Sequence, residues 1–199
     1  MLPAMSSRLL AGIAVAGQLA FIVSWAVAGV AEPGYSTAEQ TVSELFSGTA
    51  AHPWIVRAGL LALVPSYVAA AFLAQRLLAP RGLATVALLA LAALLAVGVL
   101  VNPLDCMTNG DAECAGGPDS HYLAAVALQL TLAATPFTAA RALRGQRWSR
   151  AALTLGVLGL LGIAWFAVAG NATHGIAQRV MFGTVTAWIV FLAWIGSRP

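Results

Sequence analysis

The sequence predicts an all-α, polytopic membrane protein with six transmembrane helices, and three observations carry that prediction. The chain is 60% apolar and 9% charged, with a mean hydropathy of +0.87, too little polar surface to cover a soluble globule. Its apolar residues gather into stretches long enough to cross about 30 Å of hydrocarbon, which takes roughly 20 helical residues. Its charges are sorted by alternate gap. Glu32, Glu39, Glu44, Asp105, Asp111, Glu113 and Asp119, with His52, His121 and His174, fall in three gaps between these stretches; Arg8, Arg76, Arg81, Arg141, Arg144, Arg147, Arg150 and Arg198 fall in the complementary gaps or at the ends. Arginine is retained on the cytoplasmic side of a membrane, so both termini are expected to be cytoplasmic and the acidic gaps to face outward.

The spans are expected near residues 8–30, 54–76, 83–102, 121–141, 151–170 and 176–196, each helical because lipid offers the backbone no other hydrogen-bond partner. The first run, of about 22 residues, exceeds the roughly 7 to 15 of a signal-peptide core and reads as a retained span. In the second and fourth, Pro65 and Pro136 predict mild kinks; in the fifth, Gly156, Gly159 and Gly162 predict close helix packing. Trp25, Trp54, Trp148, Trp165, Trp188 and Trp194 fall mostly near span ends, where indole anchors at the headgroups. No polar linker, low-complexity tract or repeat interrupts the pattern, so residues 1–199 read as one six-helix domain of a multi-pass cell-membrane protein. The basic residues are all arginine and lie in short turns, a topology signal that argues against nucleic-acid binding.

The outward gaps hold the residues that could carry chemistry. In the first, Ser36 and Glu39 read as a capping box ahead of Ala38, Val42, Leu45 and Phe46 at helical spacing, predicting a short amphipathic helix at the outer surface. Glu39 with Ser43 and Gln40 with Glu44 stand one turn apart, offering a carboxylate and a hydroxyl on one face. In the second, Cys106 and Cys114 are expected to form a disulfide around the Asn109-Gly110 turn, since the outer side is oxidising. Such a loop contributes about 2.5 kcal/mol in the chain-entropy picture; a thiolate metal site would need more soft ligands. Asp119 or Ser120 caps the fourth helix. Asp105 closes the third span at the membrane plane, where a carboxylate is costly unless paired. The third gap places His174 at the start of the last helix, with Gln178 one turn on. Arg57 and Arg179 enter the outer boundary against the positive-inside rule and are expected to pair, with Asp105 and Glu44 as candidates.

Two pieces, Pro33-Gly34-Tyr35-Ser36 leading to Thr41-Val42-Ser43-Glu44-Leu45, and Pro103-Leu104-Asp105-Cys106 followed by Asp119-Ser120-His121, resemble a group of bacterial six-helix membrane proteins. That family is catalogued as domain of unknown function 998; the resemblance implies the fold and names no reaction. A more distant likeness is to the ceramidase and progestin-receptor-like membrane hydrolases, whose sites combine Ser, Asp and three His at helix ends. Ser43, Asp105, His121 and His174 are those residue types, with His52 as a third histidine. The chain departs in having six spans rather than seven, and in placing Gln178 where a second ligand of the last helix would stand.

Three functions follow as expectations. The outer charges form a non-enzymatic network that fixes helix ends and docks a partner, a lipid or a lipid-linked ligand, a reading that needs no special geometry. Alternatively, His121 and His174, with Asp105 or Glu44, hold a zinc ion, and Ser43 or Glu44 assists proton transfer, in a hydrolase acting on a lipid or lipid-linked substrate at the outer leaflet. The third is transport of a small solute, against which no charge stands mid-span and no inverted repeat is visible.

Overall fold

The computed structural model describes residues 5–105 and 119–198. Asp111, Glu113, Cys106 and Cys114, and with them the expected disulfide, lie outside the described residues. Six helices, α1 (Ser7–Ala31), α2 (Pro53–Leu78), α3 (Leu83–Val101), α4 (Asp119–Ala142), α5 (Trp148–Val168) and α6 (His174–Gly196), account for most of the described chain. Their ends fall within three residues of the expected spans, and all six are long and apolar enough to cross a membrane. Pro65 and Pro136 lie inside helices that continue past them.

Side-chain contacts fix the helix directions. Arg76 donates to Ser7 at one end of the α1–α2 pair, and Ser66 Oγ–H donates to the Ala14 carbonyl (2.6 Å) further along it. Gly98 faces Ala124, Gly156 faces the Phe137 ring, and Gly162 faces Met181. Neighbouring helices therefore run antiparallel. One end of the bundle carries both ends of the described chain and the arginine-rich turns; the other, the mouth end, carries Glu32, Glu39, Glu44, Asp105, His52, His121 and His174. At the arginine-rich end Arg147 lies over Trp148 (4.1 Å), Arg198 over Trp194 (3.7 Å), and the two indoles meet edge to face (4.9 Å). Trp188 is almost wholly buried in the core.

Lipid tails are as apolar as leucine, so helices in a bilayer associate through close packing and polar contacts rather than hydrophobic burial. The sequence supplies both. A methyl group at Gly17 would overlap the Ala62 carbonyl, and one at Gly59 would overlap the Ser24 hydroxyl, so α1 and α2 touch backbone to backbone. Gly162 brings α5 close to the α6 backbone at Met181 and Gly156 seats the Phe137 ring of α4, close packing of the kind their spacing predicts, whereas a methyl group at Gly159 would make only ordinary contact. Gln18, buried mid-span on α1, donates to Ser66 Oγ (3.0 Å) and accepts from Thr186 Oγ–H (3.1 Å), tying α1, α2 and α6 together. Each helix packs on the next, α6 returns to α1 and α2, and α4 scarcely meets α6. The space that α4 leaves is the cavity described below.

The first mouth-end segment departs from the surface helix expected there. Ser36–Gln40 forms one turn, with Ser36 Oγ accepting from the Glu39 N–H as the capping box predicts (3.4 Å). A separate 3-10 turn covers Glu44–Phe46. Between them the N–H of Thr41 is taken by the Glu44 carboxylate (3.0 Å) and that of Val42 by Gln178 (2.6 Å), so neither continues a helix. Val42, Leu45 and Phe46 are buried rather than laid on the surface.

Candidate functional site

A cavity of about 1080 Å³ opens at the mouth end and descends between the helices. Tyr67, at its floor, lies about 14 residues after Pro53, which at 1.5 Å per residue is about 20 Å down. Its walls are apolar: Phe21, Leu60, Leu63, Met181 and Val185 line the middle. Polar groups stand in two tiers. The upper holds Ser43, Glu44, His121, His174 and Gln178; the lower holds Gln18, Tyr67, Gln129 and Thr186. One wall is incomplete. Tyr122, Val126 and Leu130, each one turn from the next on α4, line the cavity yet are 48%, 56% and 51% exposed.

The upper tier is built by contacts between distant parts of the chain. At the end of α3, Asn102 Nδ2 donates to the Gly98 carbonyl (2.8 Å), and its Oδ1 accepts from Ser120 Oγ–H (3.2 Å). Asn102 thereby holds the start of α4, where Nδ1 of His121 lies 2.7 Å from the Asn102 carbonyl. A carbonyl can only accept, so in the neutral ring Nδ1 carries the proton and Nε2 is bare. Nε2 lies 3.2 Å from Ser43 Oγ, whose hydroxyl then donates to it. The ring is nearly fully buried, with Phe46 tilted against it and Tyr122 edge-on, both at 5.7 Å between centroids.

Glu44 stands beside Ser43 in a different role. Its Oε1 accepts from the N–H and Oγ–H of Thr41 (both 3.0 Å), and its Oε2 from Gln40 Nε2 (3.1 Å). This buried carboxylate organises its own loop. Gln178 Oε1 accepts from the Val42 N–H, which fixes the amide's orientation and leaves its NH₂ as the end without a recorded partner among the described residues. His174 stacks against Phe166 (4.3 Å) and lines the same cavity.

The two arginines frame the mouth. Arg179 donates to the carbonyls of Thr37 (2.9 Å), Gln40 (3.0 Å) and Gly175 (2.9 Å) and to the Tyr35 hydroxyl, under the rings of Trp25 and Tyr35. Arg57 donates to the Phe46 carbonyl (3.3 Å). Where carboxylate partners were expected, these bonds go to backbone and phenol oxygens. The Tyr35 hydroxyl meets the carbonyls of Thr41 (2.9 Å) and Gln40 (3.1 Å), and burial pushes its pKa above the ordinary 10.0, with the Arg179 charge opposing.

Of the remaining residues singled out from the sequence, Asp105 is exposed at the edge of the described segment, and His52 is exposed at the start of α2, outside the cavity lining. Among the described residues no three His, Cys, Asp or Glu side chains come together as a metal-holding group, and both ring nitrogens of His121 have protein partners. Sequence reasoning missed Asn102, Gln18 and Gln129. The last two carried a usable signal, an amide in the middle of an apolar span, which lipid disfavours unless it is partnered.

The sequence model of one protein family, described as Protein of unknown function (DUF998), matches residues 15–195. No curated protein and no solved structure matches.

Proposed function

The chain belongs to this family of unknown function, and we propose that it binds an acyl-chain amphiphile, the polar head in the upper tier and the chain in the apolar cavity below. One observation carries the reading: a cavity of about 1080 Å³ that is polar at the mouth, apolar through its middle above a few polar groups at the floor, and bordered by a half-exposed apolar stripe on α4. Small-ligand pockets usually span roughly 300 to 1,000 Å³, so this one suits a long ligand. The α4 stripe suits entry from the side, since Tyr122, Val126 and Leu130 lie at a depth where lipid would be the neighbour. Arg179 and Glu44, bonded within the protein, hold the mouth in shape without contributing a reaction. In the bilayer the mouth end faces away from the cytoplasm, a placement supported by the arginines gathered at the other end.

The test is saturable binding of a fluorescently labelled single-chain phospholipid to the detergent-purified protein, followed by anisotropy. Leu63→Trp and Val185→Trp, which fill the cavity, are expected to weaken binding at least tenfold while the melting temperature holds. Absence of saturable binding, or binding indifferent to both substitutions, would sink the reading.

A further inference from the structure

Resting on the acyl-chain reading of the cavity, we infer that Ser43 and His121 form a nucleophile–base pair that cleaves the acyl ester of the bound amphiphile without a metal ion. Serine is a weak nucleophile unless a base takes its proton, and the base must be neutral, correctly tautomerised and held in place. Each requirement has a counterpart here. The Asn102 carbonyl takes the Nδ1–H (2.7 Å) and so fixes the tautomer that leaves Nε2 facing Ser43 Oγ (3.2 Å). Phe46 and Tyr122 hold the ring from two sides. Ser43 and His121 both line the cavity at its polar tier, directly above the apolar walls. An ester group joins a polar head to an apolar chain, so a ligand divided between those two zones brings its ester to this level. Gly34 and Glu39 line the cavity and are exposed, which gives water a route into it from the mouth.

The reaction balances with water as the only co-reactant. Ser43 Oγ forms a bond to the acyl carbon as its proton passes to His121 Nε2 and the carbonyl π pair moves onto oxygen. The Gln178 NH₂, oriented by the Val42 N–H next to Ser43, supplies a donor for that oxyanion. Collapse breaks the ester C–O bond, and the leaving alkoxide takes the Nε2 proton. Water then attacks the acyl-serine, giving its proton to Nε2; release of the fatty acid returns that proton to Ser43. A backbone carbonyl orients the base here in place of a carboxylate, so the imidazolium is less stabilised than in a Ser-His-Asp triad and turnover is expected to be slower.

The experiment uses the full chain in detergent with an alkyl fluorophosphonate, a 4-nitrophenyl laurate assay and the binding assay above. Wild type is expected to gain one phosphonyl group on Ser43, located by peptide mass spectrometry, and to hydrolyse the laurate ester in the presence of a chelator. Ser43→Ala abolishes labelling and hydrolysis at lipid concentrations that saturate its binding. His121→Asn keeps a donor for the Asn102 carbonyl but removes the base, and is expected to lower both rates by about 10² to 10⁴ per folded, lipid-saturated molecule. Wild type that binds the lipid but neither labels nor hydrolyses overturns the inference alone, as does hydrolysis that survives Ser43→Ala or is lost to the chelator. Loss of lipid binding in wild type overturns the underlying reading instead.

Discussion

A carboxylate buried next to a hydroxyl invites a catalytic assignment, and Glu44 beside Ser43 shows why geometry has to decide. The Glu44 oxygens meet the N–H and hydroxyl of Thr41 and the amide of Gln40, all on its own loop. Removing the acceptor leaves those donors poorly matched around a side chain that is itself buried, at about 1 to 3 kcal/mol for each group so stranded. Glu44→Ala is therefore expected to lower the unfolding midpoint clearly, followed by tryptophan fluorescence in detergent; an unchanged midpoint would refute the structural role. Tyr35 adds a pH dependence. Its folded pKa is raised above 10.0, chiefly by burial, so its contribution is fully present below pH 10 and is lost as pH rises through the folded value. Wild type should lose stability above pH 10 more steeply than Tyr35→Phe, which has no phenol to ionise. Parallel pH curves for the two would show that Tyr35 titrates as it does in the unfolded chain.

Among the elements, the first mouth-end segment and the start of α6 behave as one unit. The Ile176 N–H donates to the Ala38 carbonyl (3.1 Å), and a methyl group on Gly175 would meet the carbonyls of Thr37, Ala38 and Gln40. Arg179, one turn on, ties two of those carbonyls again. Glycine at 175 is thus required by close approach. Gly175→Ala should push the segment off α6 at a cost of about 1 to 3 kcal/mol and weaken lipid binding, because Gln178 and Ser43 are carried on the two sides of that contact. Gly12, whose added methyl would meet nothing within 4 Å, is the control: Gly12→Ala should leave melting and binding unchanged. An equal response at both positions would show that close approach is not what Gly175 provides.

For the molecule as a whole, the sorted charges make a prediction about the bilayer. The proposed placement of the mouth away from the cytoplasm predicts that a fluorescent-protein fusion at the carboxyl terminus should fold and glow, while a periplasmic phosphatase fused there should stay inactive. The reverse pattern would turn the cavity inward and remove the outer-leaflet setting. The helix number, extents and order were legible in the sequence because lipid leaves a long apolar segment no alternative to helix, so each span announces itself locally. Charge placement likewise names the end of the bundle where polar chemistry collects. Ser43, His121 and Gln178 stood among the residues noted on that basis. Their partnership did not, since Ser43 and His121 are 78 positions apart and Val42 and Gln178 are 136 apart. Which side chains meet depends on how the ring of helices closes, on α4 standing away from α6, and on Asn102 turning one carbonyl toward one imidazole. Those are outcomes of packing among many small contacts, each too weak and too distant in the chain to leave a pattern; only the tertiary structure decides them.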